Sequence, residues 1–193
     1  RWVARTRPDI GHDLSLASRI PSDPEATVAG MLQVNKLVRH LKHTSDRCLR
    51  LPRLRAGQLV VCSITDAGEP PDSPHFDGHW WGGFLVGLRV LDEAGGADEF
   101  GLFQWKSHRV SRVSHSSFDA ETIEALDGFE AALGAALFIE EAHHGLRPGL
   151  WSRTIAGLHE LPLEVLDNCK IPCELHTDCK SLVDNTQSLC MSG

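Results

Sequence analysis

From Phe118 to about His143 the chain repeats apolar residues at three- and four-residue spacing. Leu126, Phe129, Leu133 and Leu137 mark the repeat, and alanines fill the close positions. This spacing predicts one long helix of about seven turns. Such a helix needs a surface to lie on, and the runs before it predict a sheet. Leu59-Val60-Val61-Cys62-Ser63-Ile64-Thr65 is the first run. Trp80 to Leu91 is the second, and Glu99 to Lys106, with Phe100, Leu102, Phe103 and Trp105, is the third. β-Branched and aromatic residues suit strands. The Pro-, Asp- and Gly-rich stretch Ala67 to Gly78 reads as a loop, and Asp92 to Asp98, with Gly95-Gly96, as a turn. The three strands are therefore expected to form an antiparallel meander. Ser116 and Asp119 stand at capping-box spacing before the long helix. Gly145-Leu146-Arg147-Pro148-Gly149 stops it. A short strand over Cys173 to Thr177 and a short helix over Lys180 to Leu189 follow. A helix around Ser152 to His159 is compatible with the intervening stretch.

Upstream, Ile10, Leu14, Ala17 and Ile20 predict a short helix over residues 8 to 20. Pro21-Ser22-Asp23-Pro24 ends it. Val28, Met31, Leu32, Val34, Leu37, Val38 and Leu41 mark a second helix over residues 25 to 43, and Pro52 to Gly57 forms the turn into the first strand. The fold class is α/β: a mixed sheet with flanking helices, preceded by a short helical segment. The division falls at 1–56 and 57–193.

Hydrophobic content of 41% and charged content of 23% are those of an ordinary globular chain with a real core. A net charge of -7 argues against a protein that coats nucleic acid nonspecifically. It does not exclude a metal-dependent nuclease, whose clustered carboxylates are offset by bound cations. No run of about 18 uninterrupted apolar residues occurs, so no membrane span is expected. The start, Arg1-Trp2-Val3-Ala4-Arg5, lacks a signal-peptide core. Six cysteines, at 48, 62, 169, 173, 179 and 190, show no regular framework. Reduced thiols in a cytoplasmic or nuclear setting, without secretion, are the expectation.

Three carboxylates stand out by position. Asp66 ends the first apolar run, Glu121 lies in the first turn of the long helical pattern, and Asp178 ends the short run Cys173-Glu174-Leu175-His176-Thr177. Strand-end Asp, helix-start Glu and strand-end Asp is an arrangement that brings distant segments together on divalent cations. Hard cations take oxygen ligands, and two of them clamp the attacking and leaving oxygens of a phosphodiester. Taken singly, each acid has a blander reading. Asp66 is a turn residue after a strand, Glu121 an exposed acid at the positive end of a helix dipole, and Asp178 an N-cap.

The surrounding residues form an ordered series. Arg5-Thr6-Arg7-Pro8-Asp9-Ile10 comes first, then Leu14-Ser15-Leu16-Ala17-Ser18-Arg19 and Leu37-Val38-Arg39-His40-Leu41-Lys42-His43-Thr44. Trp105-Lys106-Ser107, Ser116-Ser117-Phe118-Asp119-Ala120-Glu121 and His176-Thr177-Asp178 follow. The series resembles the end of a copia-type retrotransposon reverse transcriptase running into its ribonuclease H domain. It covers nearly the whole chain in the family's order. The chain departs from the family pattern at Gly68, where a second Asp is usual, at Ser107-His108-Arg109, and at Cys179.

The resemblance implies a ribonuclease H-like domain over 57–193 that stops before its last strand and helix, with residues 1–56 as the connection segment of the reverse transcriptase. It implies a metal-dependent endonuclease cutting the RNA strand of RNA–DNA hybrids. The upstream polymerase domain of the same polyprotein would be its partner. Two Mg²⁺ (or Mn²⁺) ions are expected, with Asp66 bridging them, Glu121 on the leaving-group side and Asp178 on the water-activating side. Lys106, Ser107 and Arg109 are candidate contacts to the nucleic-acid backbone, whereas Trp105, at a strand end, is expected in the core. Two other functions remain in view. One is a catalytically inactive retroelement relict or nucleic-acid-binding fragment. The other is a zinc-binding interaction module on Cys169, Cys173, His176 and Cys179, whose donor types suit Zn²⁺ although their spacing is unlike paired Cys-x-x-Cys.

Overall fold

A computed structural model describes residues 6–18, 20, 27–49, 58–68, 80–91, 97–110, 116–144 and 169–191. The expected breaks at Pro21 to Pro24, Pro52 to Gly57 and Gly145 to Gly149, and the helix compatible with Ser152 to His159, lie outside these residues. So does most of the Ala67 to Gly78 loop and of the Asp92 to Asp98 turn. The chain forms two compact units. One comprises residues 1–50 with Lys106–His108, the other residues 51–105 with 109–193.

In the first unit a 3-10 turn, Pro8–Ile10, leads into α1, Gly11–Ala17. A single helix over 8 to 20 is thus replaced by a tighter turn and a shorter helix. Ile10 is buried and anchors the turn. The second helix, α2, spans Val28–His43, and Thr27 caps it by accepting the Gly30 N–H at 3.3 Å. That cap sets the start three residues later than the apolar stripe predicts. The stripe itself splits: Leu37 is buried, whereas Val28, Met31, Leu32 and Val38 are exposed. The Thr-Arg-Pro-Asp-Ile segment fastens the far end of α2. The Arg7 guanidinium donates to both Asp9 carboxylate oxygens, at 2.8 and 2.7 Å, and to the Thr44 carbonyl at 2.8 Å. Thr44 is the C-cap of α2, so Arg7 serves carbonyls and charge at the negative end of the helix dipole.

The second unit is a mixed four-stranded sheet with flanking helices. Its strands are β1 (Gln58–Gly68), β2 (Trp81–Leu91), β3 (Ala97–Arg109, of which Lys106–His108 group with the first unit) and β4 (Cys173–His176), in the order β3-β2-β1-β4. β1 pairs antiparallel with β2 from Gln58↔Leu91 to Gly68↔Trp81. It pairs parallel with β4 from Val61↔Cys173 to Ile64↔His176. A parallel pair needs a long crossover, and the connection between β1 and β4 contains α3, Ser117–His144. A last helix, α4, spans Lys180–Met191. Strands β1 and β3 outrun their apolar signals, because main-chain pairing continues through polar residues once a neighbour is present.

α3 lies on β1 and β2 and reaches β4. Val61, Phe84, Val86, Ala132 and Ala136 form the buried centre. Fully burying a Val or Phe contributes about 1.5–3 kcal/mol. The helix buries only part of the stripe its large residues define, Leu137 fully and Leu133 half. Leu126, Phe129 and Phe138 are exposed, and the sheet-facing side is Ala125, Gly128, Ala132 and Ala136. Small side chains let the helix axis approach the strands closely. At Gly128 a Cβ would collide with Thr65 Cγ2 and stand 2.6 Å from Ser63 Oγ.

Candidate metal centre

Asp66 lies inside β1, opposite Gly83 of β2, so it is not the turn residue its position after an apolar run implied. Asp178 follows β4. Both acids stand two residues beyond the last parallel pair, Ile64↔His176. Continuing that register puts them at the same level, at the carboxyl ends of neighbouring parallel strands. Side chains there are exposed to a ligand approaching the sheet end, and both are exposed.

Glu121 arrives from α3. Ser116 Oγ accepts the Asp119 N–H at 3.2 Å, and the Ala120 N–H reaches the Ser116 carbonyl at 3.2 Å. This cap fixes where α3 begins and so which residues face the sheet. Ala120, Glu121, Glu124 and Ala125 all turn inward, and Glu121 is only 8% exposed. It is therefore not a solvated first-turn acid. Asp178 is not the N-cap of α4 either, because Cys179 directly precedes its first residue, Lys180. Thr177 Oγ1 accepts the Cys179 N–H at 3.1 Å, and the Cys179 carbonyl accepts the Leu182 N–H at 3.1 Å. These local bonds leave the Asp178 carboxylate to other work.

One carboxylate oxygen from each of Asp66, Glu121 and Asp178 lies within 4.8 Å of the others. Three acids this close cannot all be charged without cost. Burial, chiefly, pushes the Glu121 carboxyl above its ordinary range, and the charges of Asp66 and Asp178 add to the rise. The Ala67 N–H, which donates to it, pulls the other way. Glu121 Oε2 is buried with no hydrogen-bond partner. A buried carboxylate with an acceptor that lacks a donor, close to two further carboxylates, is what a cation would satisfy. An octahedral ion with oxygens at about 2.0–2.1 Å spaces them about 3–4 Å apart. Small side-chain adjustments bring these oxygens into that range. The donor set, all carboxylate, suits hard ions such as Mg²⁺ or Mn²⁺.

The candidate backbone contacts lie elsewhere in the sheet. Lys106, Ser107 and Arg109 are on β3, separated from β1 by β2. Lys106 is exposed, Ser107 and Arg109 are half-buried, and Trp105 is half-buried rather than core. The Cys169, Cys173, His176 and Cys179 quartet does not gather. Cys169 and Cys173 pack beside the hydrophobic core, and burial pushes the Cys173 thiol up to about 11. His176 turns to Glu174, at 3.1 Å, and Cys179 is spent at the start of α4.

A cluster that the sequence reading missed lies further back along the same two strands. Cys62, Glu174 and His176 each place one ligand atom within 4.8 Å of the others, beside Arg89 of β2. Cys62 and Glu174 are 112 residues apart in sequence and become neighbours only through the β1–β4 register. The one local sign was that Glu174 and His176, two apart in a strand, share a face.

No family profile and no solved structure match the chain. One curated protein does, an FAD-binding monooxygenase, stcW, of Emericella nidulans. It is 25% identical over 154 residues, covering 73% of this chain and 23% of that protein. The chain thus spans about a quarter of the length of the curated relative it matches. No two glycines in this sequence stand two residues apart, so it has no Gly-x-Gly-x-x-Gly dinucleotide loop.

Proposed function

We propose that the second unit is a metal-dependent endonuclease of the ribonuclease H kind, hydrolysing the RNA strand of RNA–DNA hybrids as part of a retroelement polyprotein. One observation carries the reading. The parallel register levels Asp66 with Asp178, and α3 brings a carboxylate oxygen of Glu121, whose Oε2 is buried and partnerless, within 4.8 Å of an oxygen of each. The element order, three strands, a helix, a strand and a helix, agrees with a ribonuclease H-like core through its fourth strand.

Asp66, Glu121 and Asp178 would hold two Mg²⁺ or Mn²⁺ ions. When bound, such ions supply an activated water at neutral pH and neutralise the charge that builds on the phosphodiester oxygens. The chain's own residues divide the remaining work. Glu121, sunk beneath the other two, fixes its carboxylate by burial and by the Ala67 N–H. Asp66 and Asp178, exposed at the strand ends, face the substrate side. No His or Lys is required as a strong base, because the cations do that work. Recognition would rest on hybrid shape and the 2′-OH, with Lys106, Ser107 and Arg109 as contacts and the upstream polymerase domain as the covalent partner. Among the described residues no helix is long and apolar enough to cross a membrane. The proposed setting is the cytoplasm or nucleus.

The departures at Gly68 and Cys179 favour a second reading, an inactive relict of the same fold. A labelled RNA–DNA hybrid incubated with Mg²⁺ or Mn²⁺ separates the two. Cleavage by the wild type and not by Asp66→Asn supports the enzyme. Equal cleavage by both removes this site from consideration, and cleavage by neither supports the relict.

A further inference from the structure

We propose that Cys62, Glu174 and His176 form a second metal site, for a single thiolate- and imidazole-preferring ion of the Zn²⁺ class. It would clamp β4 to β1. The proposal stands independently of the nuclease reading, because it uses none of the three acids above.

The geometry comes from the register. Cys62 pairs with Glu174, and Ile64 with His176, across the parallel strands. Cys62, Glu174 and His176 occupy even positions on adjacent strands and so share one face of the sheet. The opposite face carries Val61 and the α3 core. Glu174 Oε2 lies 3.4 Å from Cys62 Sγ and 3.1 Å from His176 Nε2. A tetrahedral Zn²⁺ with bonds of about 2.0–2.3 Å separates its S, N and O donors by about 3.3–3.5 Å. Two of the three donor separations therefore lie close to that spacing, and Cys62 Sγ and His176 Nε2 stand within 4.8 Å of each other. Three protein ligands leave the fourth position for water or an added ligand.

Donor type separates this site from the acid cluster. Sulfur and imidazole select Zn²⁺ and Co²⁺ over Mg²⁺, whereas the three carboxylates select the reverse. The chain would hold two metal classes on one pair of strands. Cys62 is only 1% exposed, so the ion would be shielded on that side. The competitor is Arg89. Its Nη1 lies 3.0 Å from Glu174 Oε2 and 4.0 Å from Cys62 Sγ, where it takes the place of a cation. Its side chain is 25% exposed, and an entering ion would have to displace it toward solvent. Arg89 thus sets the affinity by competing for Glu174. β4 is a four-residue edge strand, and a metal bridge would supplement its few main-chain bonds to β1.

Co²⁺ is the probe, titrated into the full chain with the absorption spectrum recorded. The wild type should show a thiolate-to-cobalt charge-transfer band and one equivalent bound, displaced by Zn²⁺ and not by Mg²⁺. Cys62→Ser should abolish the band, and His176→Gln, at an exposed position, should weaken binding at least tenfold while leaving the circular dichroism unchanged. Arg89→Gln should tighten binding about tenfold. Asp66→Asn should leave the band intact. The proposal is overturned if the wild type gives no thiolate band. It also fails if the band survives Cys62→Ser, if it disappears in Asp66→Asn, or if Arg89→Gln weakens binding. Any of these would return the cluster to the role of an ion pair.

Discussion

Replacing Gly128 with alanine should push α3 off the sheet. A Cβ there would stand 2.6 Å from Ser63 Oγ and closer still to Thr65 Cγ2. Ordinary contacts lie near 3.5–4.0 Å, so relief needs a movement of about 1 Å. Neither neighbour gives way easily, since Ser63 is 0% and Thr65 3% exposed and both belong to the central strand. The helix must therefore move. Overpacking of this kind costs about 1–3 kcal/mol, and alanine returns up to about 1 kcal/mol through helix propensity. With two buried contacts this short the overpacking cost falls in the upper part of its range, about 2–3 kcal/mol, and the net loss is about 1–2 kcal/mol, or roughly 2–8 °C in Tm for a chain of this size. Glu121 lies two turns upstream on the same side of α3, so the displacement reaches the candidate metal centre. Ion binding tolerates little movement when Mg–O distances are held near about 2.0–2.1 Å. Thermal unfolding measured with and without Mg²⁺, against the exposed control Glu130→Ala, reads both effects. A Gly128→Ala protein as stable as the wild type, with Mg²⁺ stabilisation intact, would refute the close approach of α3 to β1.

Glu121→Gln should change how stability depends on pH. A carboxyl raised by burial and by Asp66 and Asp178 contributes stability that is fully present below the ordinary Glu range. That contribution is lost as pH rises through the raised value. The Gln variant, without metal, should be more stable than wild type at neutral pH and show a flatter acid-to-neutral profile in urea unfolding. Mg²⁺ should stabilise the wild type by about 2.7 kcal/mol at a hundredfold excess over Kd, with the rise in Tm larger at neutral than at acid pH. Asp66→Asn should lose more Mg²⁺ affinity than the roughly 10–100-fold typical of removing an outer-shell partner, measured by calorimetry with the fold intact. In the first unit, Asp9 is held below the usual carboxylate range chiefly by its hydrogen bond from Arg7. That stabilisation is present above the ordinary Asp range and lost as pH falls through the lowered value. Arg7→Lys, which forfeits the bidentate contact, should speed hydrogen exchange at the C-terminal end of α2.

The sequence by itself determined the elements and the positions of the three acids. Short apolar runs rich in β-branched and aromatic residues and a long helical pattern need no distant partner to be recognised. The helical stretch between the Asp66 run and the Asp178 run leaves room for the crossover that a parallel pair needs, and the sheet fixes that pairing from Val61↔Cys173 to Ile64↔His176. What only the tertiary structure decided concerns faces and neighbours. The repeat Leu126, Phe129, Leu133 and Leu137 suggested one buried side of α3, but Leu126 and Phe129 are exposed, Leu133 is half-buried and Leu137 is buried, and close approach to the sheet falls to the small residues Ala125, Gly128, Ala132 and Ala136. The apolar stripe of α2 likewise says nothing about which part finds a partner, and Val28, Met31 and Leu32 remain exposed. That Cys173 and His176 point to opposite faces follows from strand alternation in the sequence alone, whereas the structure showed which face is the core, packing Cys173 against it. Cys62, Glu174 and His176 came together through strand register, a relation between segments 112 residues apart that local pattern does not encode.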